Sequence, residues 1–102
     1  MLQMRKGEGG NRLEEIRREI DAIDDSIADL LSKRMEYAIM AKEEKERINK
    51  PISDKKRERE VIEKWMKRAR TRNLDEEMMR KIATTLIEYT IKRERDADNK
   101  KS

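Results

Sequence analysis

The sequence predicts an all-α protein with three helices per chain, one long and two shorter. Of its 102 residues, 49% are charged, and the helix-favouring residues Glu, Lys, Arg, Ile, Leu, Met and Ala are abundant. The chain has three Gly and one Pro, too few for the tight turns that hairpins and barrels require. Apolar residues recur at helical spacing along three segments, which indicates three amphipathic helices.

The first helix is predicted over residues 12–48 and is long for a chain of this size. At ~1.5 Å per residue, about 36 residues form a rod of roughly 54 Å. Its apolar residues follow each other at heptad spacing: Leu13, Ile16, Ile20, Ile23, Ile27, Leu30, Tyr37 and Ala41. Two shorter helices cannot cover such a seam, and exposed apolar stripes are uncommon in monomers. We therefore expect an intertwined homodimer in which the long helices of two copies pack together.

The second helix is predicted to follow Pro51, because the residue before a proline disfavours helical backbone. Ser53 or Asp54 can cap its first turn, and it stops around residues 71–73. Its apolar line is Val61, Ile62, Trp65, Met66 and Ala69.

The third helix is predicted to begin after Asp75, a second N-cap candidate. Its apolar residues are Met78, Met79, Ile82, Ala83, Leu86, Ile87 and Ile91. A polar tail follows and is expected to fray. The sequence thus indicates one helical domain over residues 12–96, between a disordered leader at 1–11 and a frayed tail at 97–102.

The composition excludes several kinds of active site. Without Cys and His the chain has no disulfide, thiol nucleophile, Cys/His zinc site or Ser-His-Asp triad, and we expect neither a metal nor a cofactor.

The first eleven residues lack the apolar core of a secretory signal, and no apolar run approaches the length of a membrane span. We therefore expect a cytoplasmic protein. Heavy use of Lys and Glu also fits a hot environment.

The net charge of +4 arises from 27 basic and 23 acidic residues that alternate along the chain. Interleaved charge is typical of solvated helix faces, whereas a nucleic-acid surface gathers basic residues and often adds aromatic rings. We expect neither nucleic acid nor membrane as a partner.

Charged residues interrupt the apolar faces of all three helices. Arg34 occupies a heptad position, and Lys45 lies three turns later in nearly the same direction. Glu58 shares a face with the apolar line of the second helix, and Thr90 and Glu94 continue an apolar line of the third. Because buried charges need partners, two interpretations remain open. The charges either pair with one another or snorkel, or they form a pocket for a multiply anionic small molecule.

Three stretches of the chain resemble the all-helical class of chorismate mutases. These are LEEIRREIDAIDDSIADLLSKRMEYAIMAKEEK, PISDKKRERE and LIEYTIKRE, within an ungapped likeness over residues 13–94. The specific features are an I-R-x-x-I-D-x-I-D opening, an Arg seventeen residues after Arg17, a Lys eleven residues further on, and P-x-x-D-x-x-R-E. Each feature is weak alone, but their combination at family spacing is specific.

The resemblance implies an intertwined dimer with two equivalent sites for the Claisen rearrangement of chorismate to prephenate, a step of the shikimate pathway toward aromatic amino acids. It implies that Arg34, together with Arg17 from the partner subunit, holds the two substrate carboxylates. Lys45 would donate to the ether oxygen of the breaking bond. Arg57 would support the carboxylate site and the neighbouring acids, and Thr90 would contact a carboxylate.

The resemblance also assigns roles to acids. Glu58, with Asp54 at the start of the helix, would accept a hydrogen bond from the ring hydroxyl. Glu94 departs from the family pattern, because many bacterial members carry a Gln that donates to the ether oxygen. An ionised Glu only accepts, so Glu94 must be protonated to help; burial favours the proton and nearby Lys45 opposes it. We expect activity to rise as pH falls below neutral.

Two other functions compete with this one. Isochorismate pyruvate-lyases share the fold and resemble the chain at Arg34 and Lys45, but tend to lack the D-x-x-R-E arrangement of Asp54, Arg57 and Glu58. A non-catalytic helical dimerisation or nucleic-acid-binding module would leave the charges on the apolar faces unexplained.

Overall fold

The computed structural model describes residues 11–101 of the chain, and side chains within residues 11–97. In this range it contains three α-helices and no strands: α1, Asn11–Arg47; α2, Lys55–Thr71; and α3, Glu76–Lys101. The predicted all-α class, with one long and two shorter helices, is confirmed. The chain divides into two compact units, Met1–Arg34 and Met35–Ser102.

The first unit contributes an amphipathic helical segment whose apolar stripe is exposed. The exposed stripe consists of Leu13, Ile20, Ile23, Ile27 and Leu30, each close to half exposed or more. Asn11, which was expected to belong to the leader, is already helical because no Gly or Pro follows it within α1. The rest of the predicted leader lies outside the described residues.

Both turns of the second unit are closed by an asparagine in the left-handed region. Asn49 has φ 59° and follows α1, and Asn73 has φ 55° and follows α2. At the first turn the Lys50 N–H donates to the Lys45 carbonyl at 2.8 Å, and at the second the Leu74 N–H donates to the Ala69 carbonyl at 3.0 Å. These bonds satisfy carbonyls that a helix end leaves without partners.

Asp54, one of the two cap candidates in the sequence, precedes α2, and Asp75 precedes α3 as predicted. Asp54 accepts a hydrogen bond from the Arg57 N–H at 3.1 Å, and Asp75 accepts one from the Met78 N–H at 2.8 Å. Each carboxylate therefore accepts a hydrogen bond from an N–H group of the first turn. Its negative charge also lies at the positive end of the helix dipole, which stabilises the helix.

In the second unit α2 packs against α3. Ala69 of α2 and Ala83 of α3 are fully buried, so small side chains lie where the two helices meet. Large apolar residues such as Trp65 are only half-buried. The apolar core of this unit is therefore small for a stable fold.

The buried face at the C-terminal end of α1 differs from the predicted seam by one residue. Tyr37 is 62% exposed and Ala41 is exposed, whereas Ala38 and Lys42 are buried. The reason is that a straight α-helix drifts about 20° per heptad from a strict seven-residue repeat. Four heptads after Leu13 the drift approaches the roughly 100° that separates consecutive residues, so positions 38 and 42 lie on the buried face, while positions 37 and 41 are exposed like most earlier seam positions.

The C-terminal helix extends beyond the predicted end of the domain at residue 96. α3 continues to Lys101, and residues 91–101 contain neither Gly nor Pro to end it. Within the described range, we find no helix with the length and apolar character needed to cross a membrane.

Candidate active site

Lys45 occupies the last turn of α1 and connects two other parts of the second unit. Its Nζ donates to the Ile52 carbonyl at 2.8 Å, in the segment between α1 and α2. The same atom donates to Glu94 Oε2 of α3 at 3.3 Å. The Lys45 side chain is 26% exposed, whereas Glu94 is 2% exposed. A half-buried ammonium is thus held between a carbonyl and a buried carboxylate.

The surroundings of Lys45 restrict where its ammonium can point. Its own carbonyl accepts the Lys50 N–H, so both its backbone and its side chain fix the turn after α1. A lysine ammonium has three N–H donors, and the described residues engage two of them at Ile52 and Glu94. Because these two hydrogen bonds hold the ammonium in place, the direction of its third N–H is fixed as well. That N–H is available to an acceptor on a ligand.

Glu58 lies in the first turn of α2 and is the second acid of the site. Ser53 Oγ donates to Glu58 Oε2 at 3.0 Å, and Lys55 Nζ lies 3.5 Å from Oε1. The Glu58 side chain is mostly buried, and its carboxylate has further lone pairs for a hydroxyl donor. The sequence identified Ser53 only as a possible cap; its contact with Glu58 has no local sequence signal.

Asp54 and Arg57 flank Glu58 but have their own partners. The Asp54 carboxylate caps α2 through the Arg57 N–H. The Arg57 guanidinium is exposed and lies 3.8 Å from Glu60, on the outer side of the helix. The structure therefore brings the Arg57 side chain to Glu60 and not to Glu58, and an exposed pair of this kind is weak.

Thr90 precedes Glu94 by one turn of α3 and is half-buried. Residues four apart share one face of a helix, so Thr90 and Glu94 are neighbours on the inner face. The structure thus brings Lys45 and Glu94 into contact, with Glu58 beside Ser53 in the same unit.

The two remaining predicted cations belong to the first unit. Arg34 is half-buried. Arg17 is exposed and its guanidinium lies 3.0 Å from the Glu14 carboxylate, one turn earlier. No described contact joins Arg17 to the other predicted residues.

A buried charge that the sequence interpretation missed lies at Lys42. This residue is 1% exposed and forms an ion pair with Glu46 at 2.5 Å. Lys42 precedes Lys45 by three positions, so the two lysines lie on neighbouring parts of the α1 surface. The strict heptad placed Ala41 on the seam, which is why the pattern did not single out Lys42.

Within the described residues, no group of three or more Asp or Glu side chains could hold a metal ion. The arrangement instead provides fixed hydrogen-bond donors and cations next to buried acids. Such a set can bind an anionic molecule and stabilise negative charge that develops on one of its oxygens.

Comparison with known proteins gives two matches over most of the chain. A family model described as chorismate mutase type II matches residues 16–95. The chain is also 36% identical over 78 residues to a chorismate mutase of Methanocaldococcus jannaschii. This alignment covers 76% of the chain and 79% of the relative.

Proposed function

The chain belongs to the chorismate mutase type II family and is an isomerase, and we propose how its residues convert chorismate to prephenate. The relative from Methanocaldococcus jannaschii carries the same activity in its name. The competing lyase and the non-catalytic module are not favoured.

The reaction suits a site without a nucleophile. A [3,3] rearrangement is unimolecular: one carbon–oxygen bond breaks while one carbon–carbon bond forms, with no obligatory proton transfer. Catalysis can come from holding the dianion in its reactive fold and from stabilising charge on the ether oxygen. Arginine suits bidentate carboxylate binding, and lysine supplies a compact donor.

Lys45 is the central donor of this proposal. Its ammonium is held by the Ile52 carbonyl and the Glu94 carboxylate at 2.8 and 3.3 Å, which supports a fixed direction for the third N–H. A donor that is positioned before the reaction needs no reorganisation when charge develops on the substrate. This contact geometry is the observation that carries the proposal.

Glu94 has two roles that depend on its proton. As a carboxylate it accepts from Lys45 and positions the ammonium. With a proton it can itself donate to the ether oxygen, whereas without one it repels the developing negative charge. The proposal therefore assigns the faster chemical step to the protonated form.

The ring hydroxyl of chorismate is proposed to donate to Glu58. Ser53 donates to one oxygen of this carboxylate, and within residues 11–97 the other oxygen contacts exposed Lys55, so it is the oxygen proposed to accept from the hydroxyl. Asp54 is proposed to serve both as the cap of α2 and as a second acceptor near the hydroxyl.

The two substrate carboxylates are proposed to bind Arg34 and the partner subunit's Arg17. Arg57 and Thr90 would assist, and Arg57 would first have to leave Glu60. Because that ion pair is exposed and weak, the exchange costs little free energy.

A homodimer is part of the proposal. The exposed stripe of the first unit, from Leu13 to Leu30, is an apolar surface on a long helix. The long helix of a second copy could pack against this stripe and remove it from water. Arg17 extends from the same helix and is exposed in the single chain, which leaves it able to reach a partner. The cytoplasmic location stays a prediction.

Product identification tests the proposed function. Purified protein is incubated with chorismate, whose loss is followed by absorbance, and the mixture is then acidified. The proposal predicts phenylpyruvate, which forms from prephenate in acid. Pyruvate release from isochorismate without chorismate turnover would instead support the lyase, and a folded protein with neither activity would contradict both enzymes.

A further inference from the structure

Ser53 lies immediately before the N-cap of α2, and its side chain holds the carboxylate of Glu58. The Ser53 hydroxyl donates to Glu58 Oε2 at 3.0 Å. Among the described residues, the other partner of Glu58 is Lys55, whose side chain is 76% exposed and whose Nζ lies 3.5 Å from Oε1. A long contact to a solvated lysine holds a carboxylate poorly. The Ser53 hydroxyl is therefore the main hydrogen-bonding restraint on Glu58.

The helix positions of this pair often hold apolar side chains. With Asp54 as the N-cap, Ser53 is the residue before the cap and Glu58 is the fourth residue of α2. An apolar residue at the first of these positions often packs against one at the second, which fixes the path of the chain into the helix. Here a hydroxyl and a mostly buried carboxylate occupy the same places. Desolvating a carboxylate costs free energy that an apolar pair avoids, so stability alone does not account for these two residues.

The same short segment also holds Lys45. The carbonyl that accepts from Lys45 Nζ at 2.8 Å belongs to Ile52, and it is part of the peptide group that joins Ile52 to Ser53. Lys45 is thus held by the peptide before Ser53, and Glu58 is held by the Ser53 side chain. One pair of consecutive residues therefore anchors both the donor proposed for the ether oxygen and the acceptor proposed for the ring hydroxyl.

Chorismate presents these two oxygens on neighbouring carbons of its ring. A donor to the ether oxygen and an acceptor for the hydroxyl must therefore lie close together at a fixed separation. A carboxylate anchored next to the peptide that holds the ammonium meets this requirement. The hydroxyl keeps its bond to the ring throughout the rearrangement, so its contact with Glu58 would stabilise the bound substrate and the transition state to a similar extent.

From these contacts we propose that Ser53 is a positioning residue, whose hydroxyl fixes the Glu58 carboxylate as the acceptor for the ring hydroxyl of chorismate. Ser53 acts through Glu58, without contact to the reacting atoms, and makes the site selective for a hydroxylated ring. The inference rests on the proposed function. Because the contact serves bound substrate and transition state alike, its loss raises KM and leaves kcat unchanged.

Steady-state kinetics of two variants of similar size test this inference. Ser53→Thr keeps the hydroxyl, whereas Ser53→Val has a methyl group in its place. We expect Ser53→Val to raise KM for chorismate about tenfold, with kcat within about twofold of the wild type, because Glu58 loses its fixed orientation. Ser53→Thr should stay close to the wild type in both constants.

A chorismate analogue without the ring hydroxyl gives the second measurement. Its inhibition constant against chorismate turnover should be the same for the wild type and Ser53→Val, because the analogue has no hydroxyl to donate to Glu58. A general distortion of the site would raise this constant together with the KM for chorismate. Ser26→Ala is the control for loss of a hydroxyl: Ser26 donates to the Ala22 carbonyl of α1 at 3.2 Å, and this variant should match the wild type with both molecules.

Several results would overturn the inference. They are an unchanged KM in folded Ser53→Val, an equal rise in KM for Ser53→Thr, or an equal rise in the inhibition constant of the analogue. If Ser53→Val does not fold, Ser53→Ala replaces it in the same measurements; if neither folds, the hydroxyl is required for the fold and the inference is wrong.

Glu58→Ala separates this inference from the proposed function. It should raise KM for chorismate at least as much as Ser53→Val does. A rise for Glu58→Ala with no rise for Ser53→Val would contradict the role of Ser53 alone. Absence of chorismate turnover by the wild type would instead contradict the proposed function itself.

Discussion

Lys45 and Glu94 lie 49 positions apart in the sequence, and their side chains meet at 3.3 Å. The contact joins the end of α1 to the inner face of α3. Because Glu94 is buried, its carboxylate is a fixed acceptor rather than one side of a mobile surface pair. Together with the Ile52 carbonyl, Glu94 holds the Lys45 ammonium in place, and the proposed mechanism links the rate of the reaction to the proton on Glu94.

Glu94→Gln is expected to flatten the pH dependence of the reaction. In the proposed mechanism, protonated Glu94 donates to the ether oxygen and ionised Glu94 repels it, so kcat should rise as pH falls below neutral. A glutamine donates at every pH. The measurement is kcat for chorismate between mildly acidic and alkaline pH, and a wild-type rate that does not change over this range would contradict the role of Glu94.

Asn49→Ala is expected to reduce both stability and activity. Its φ of 59° is unfavourable for a residue with a Cβ unless the side chain is short and polar, so alanine should lower the unfolding free energy by about 1 kcal/mol. The turn that it closes carries Ile52, whose carbonyl positions Lys45, so kcat/KM should fall as well. Asn49→Gly should retain both properties.

Asn73→Ala provides the control for this turn. Asn73 has nearly the same φ, 55°, but closes the turn between α2 and α3, away from the Lys45 contacts. It should show a similar loss of stability with unchanged kcat/KM. Equal losses of activity in the two alanine variants would mean that the first turn has no special part in positioning Lys45.

The sequence predicted the helices and caps well because these depend on local chemistry. Asp54 and Asp75 act as N-caps through bonds to N–H groups three residues later. The buried position of Lys42 was not predictable from a strict heptad. A straight helix drifts from the seven-residue repeat, so after several turns the residue next to the expected seam position lies on the buried face. The Ser53–Glu58 bond depends on the path of the chain before α2.

The exposed Glu77–Arg80 pair predicts a small acid sensitivity of stability. Arg80 Nε donates to Glu77 at 2.9 Å, and this hydrogen bond lowers the pKa of Glu77 below its usual value of 4.5. A lowered pKa stabilises the fold above the unfolded-state value, and that contribution is lost as pH falls through the folded-state value.

Unfolding measurements at neutral and acidic pH check this expectation. Glu77→Gln should reduce the loss of stability on acidification slightly, and added salt should weaken the difference. Glu88→Gln, at an exposed position of α3 with no ion-pair partner in the described part of the chain, should have less effect. Identical acid sensitivity of wild type and Glu77→Gln would contradict the assignment.

Mixing two inactive variants is expected to restore activity if subunits share their sites. Arg17→Ala and Lys45→Ala homodimers each lack one group in both sites. In a mixed dimer, one site combines intact Lys45 with the partner subunit's Arg17, and the other site lacks both. After unfolding and refolding at equal amounts, about a quarter of wild-type activity should return, because half of the dimers are mixed and each has one intact site.

The control for this experiment is each variant refolded alone, which should stay inactive. Sedimentation should show a dimer in every sample. A monomeric protein, or a mixture with no more activity than its components, would contradict the proposed contribution of Arg17 to the partner's site.

The most direct test of the central role of Lys45 is the kcat/KM of Lys45→Ala for chorismate. Loss of a positioned donor to the ether oxygen should lower it by about 10²–10³-fold, and Arg34→Ala should cause a loss of similar order through the carboxylate. Lys56→Ala, which removes an exposed lysine at the start of α2, should match the wild type. A folded Lys45→Ala protein with wild-type kcat/KM would contradict the account.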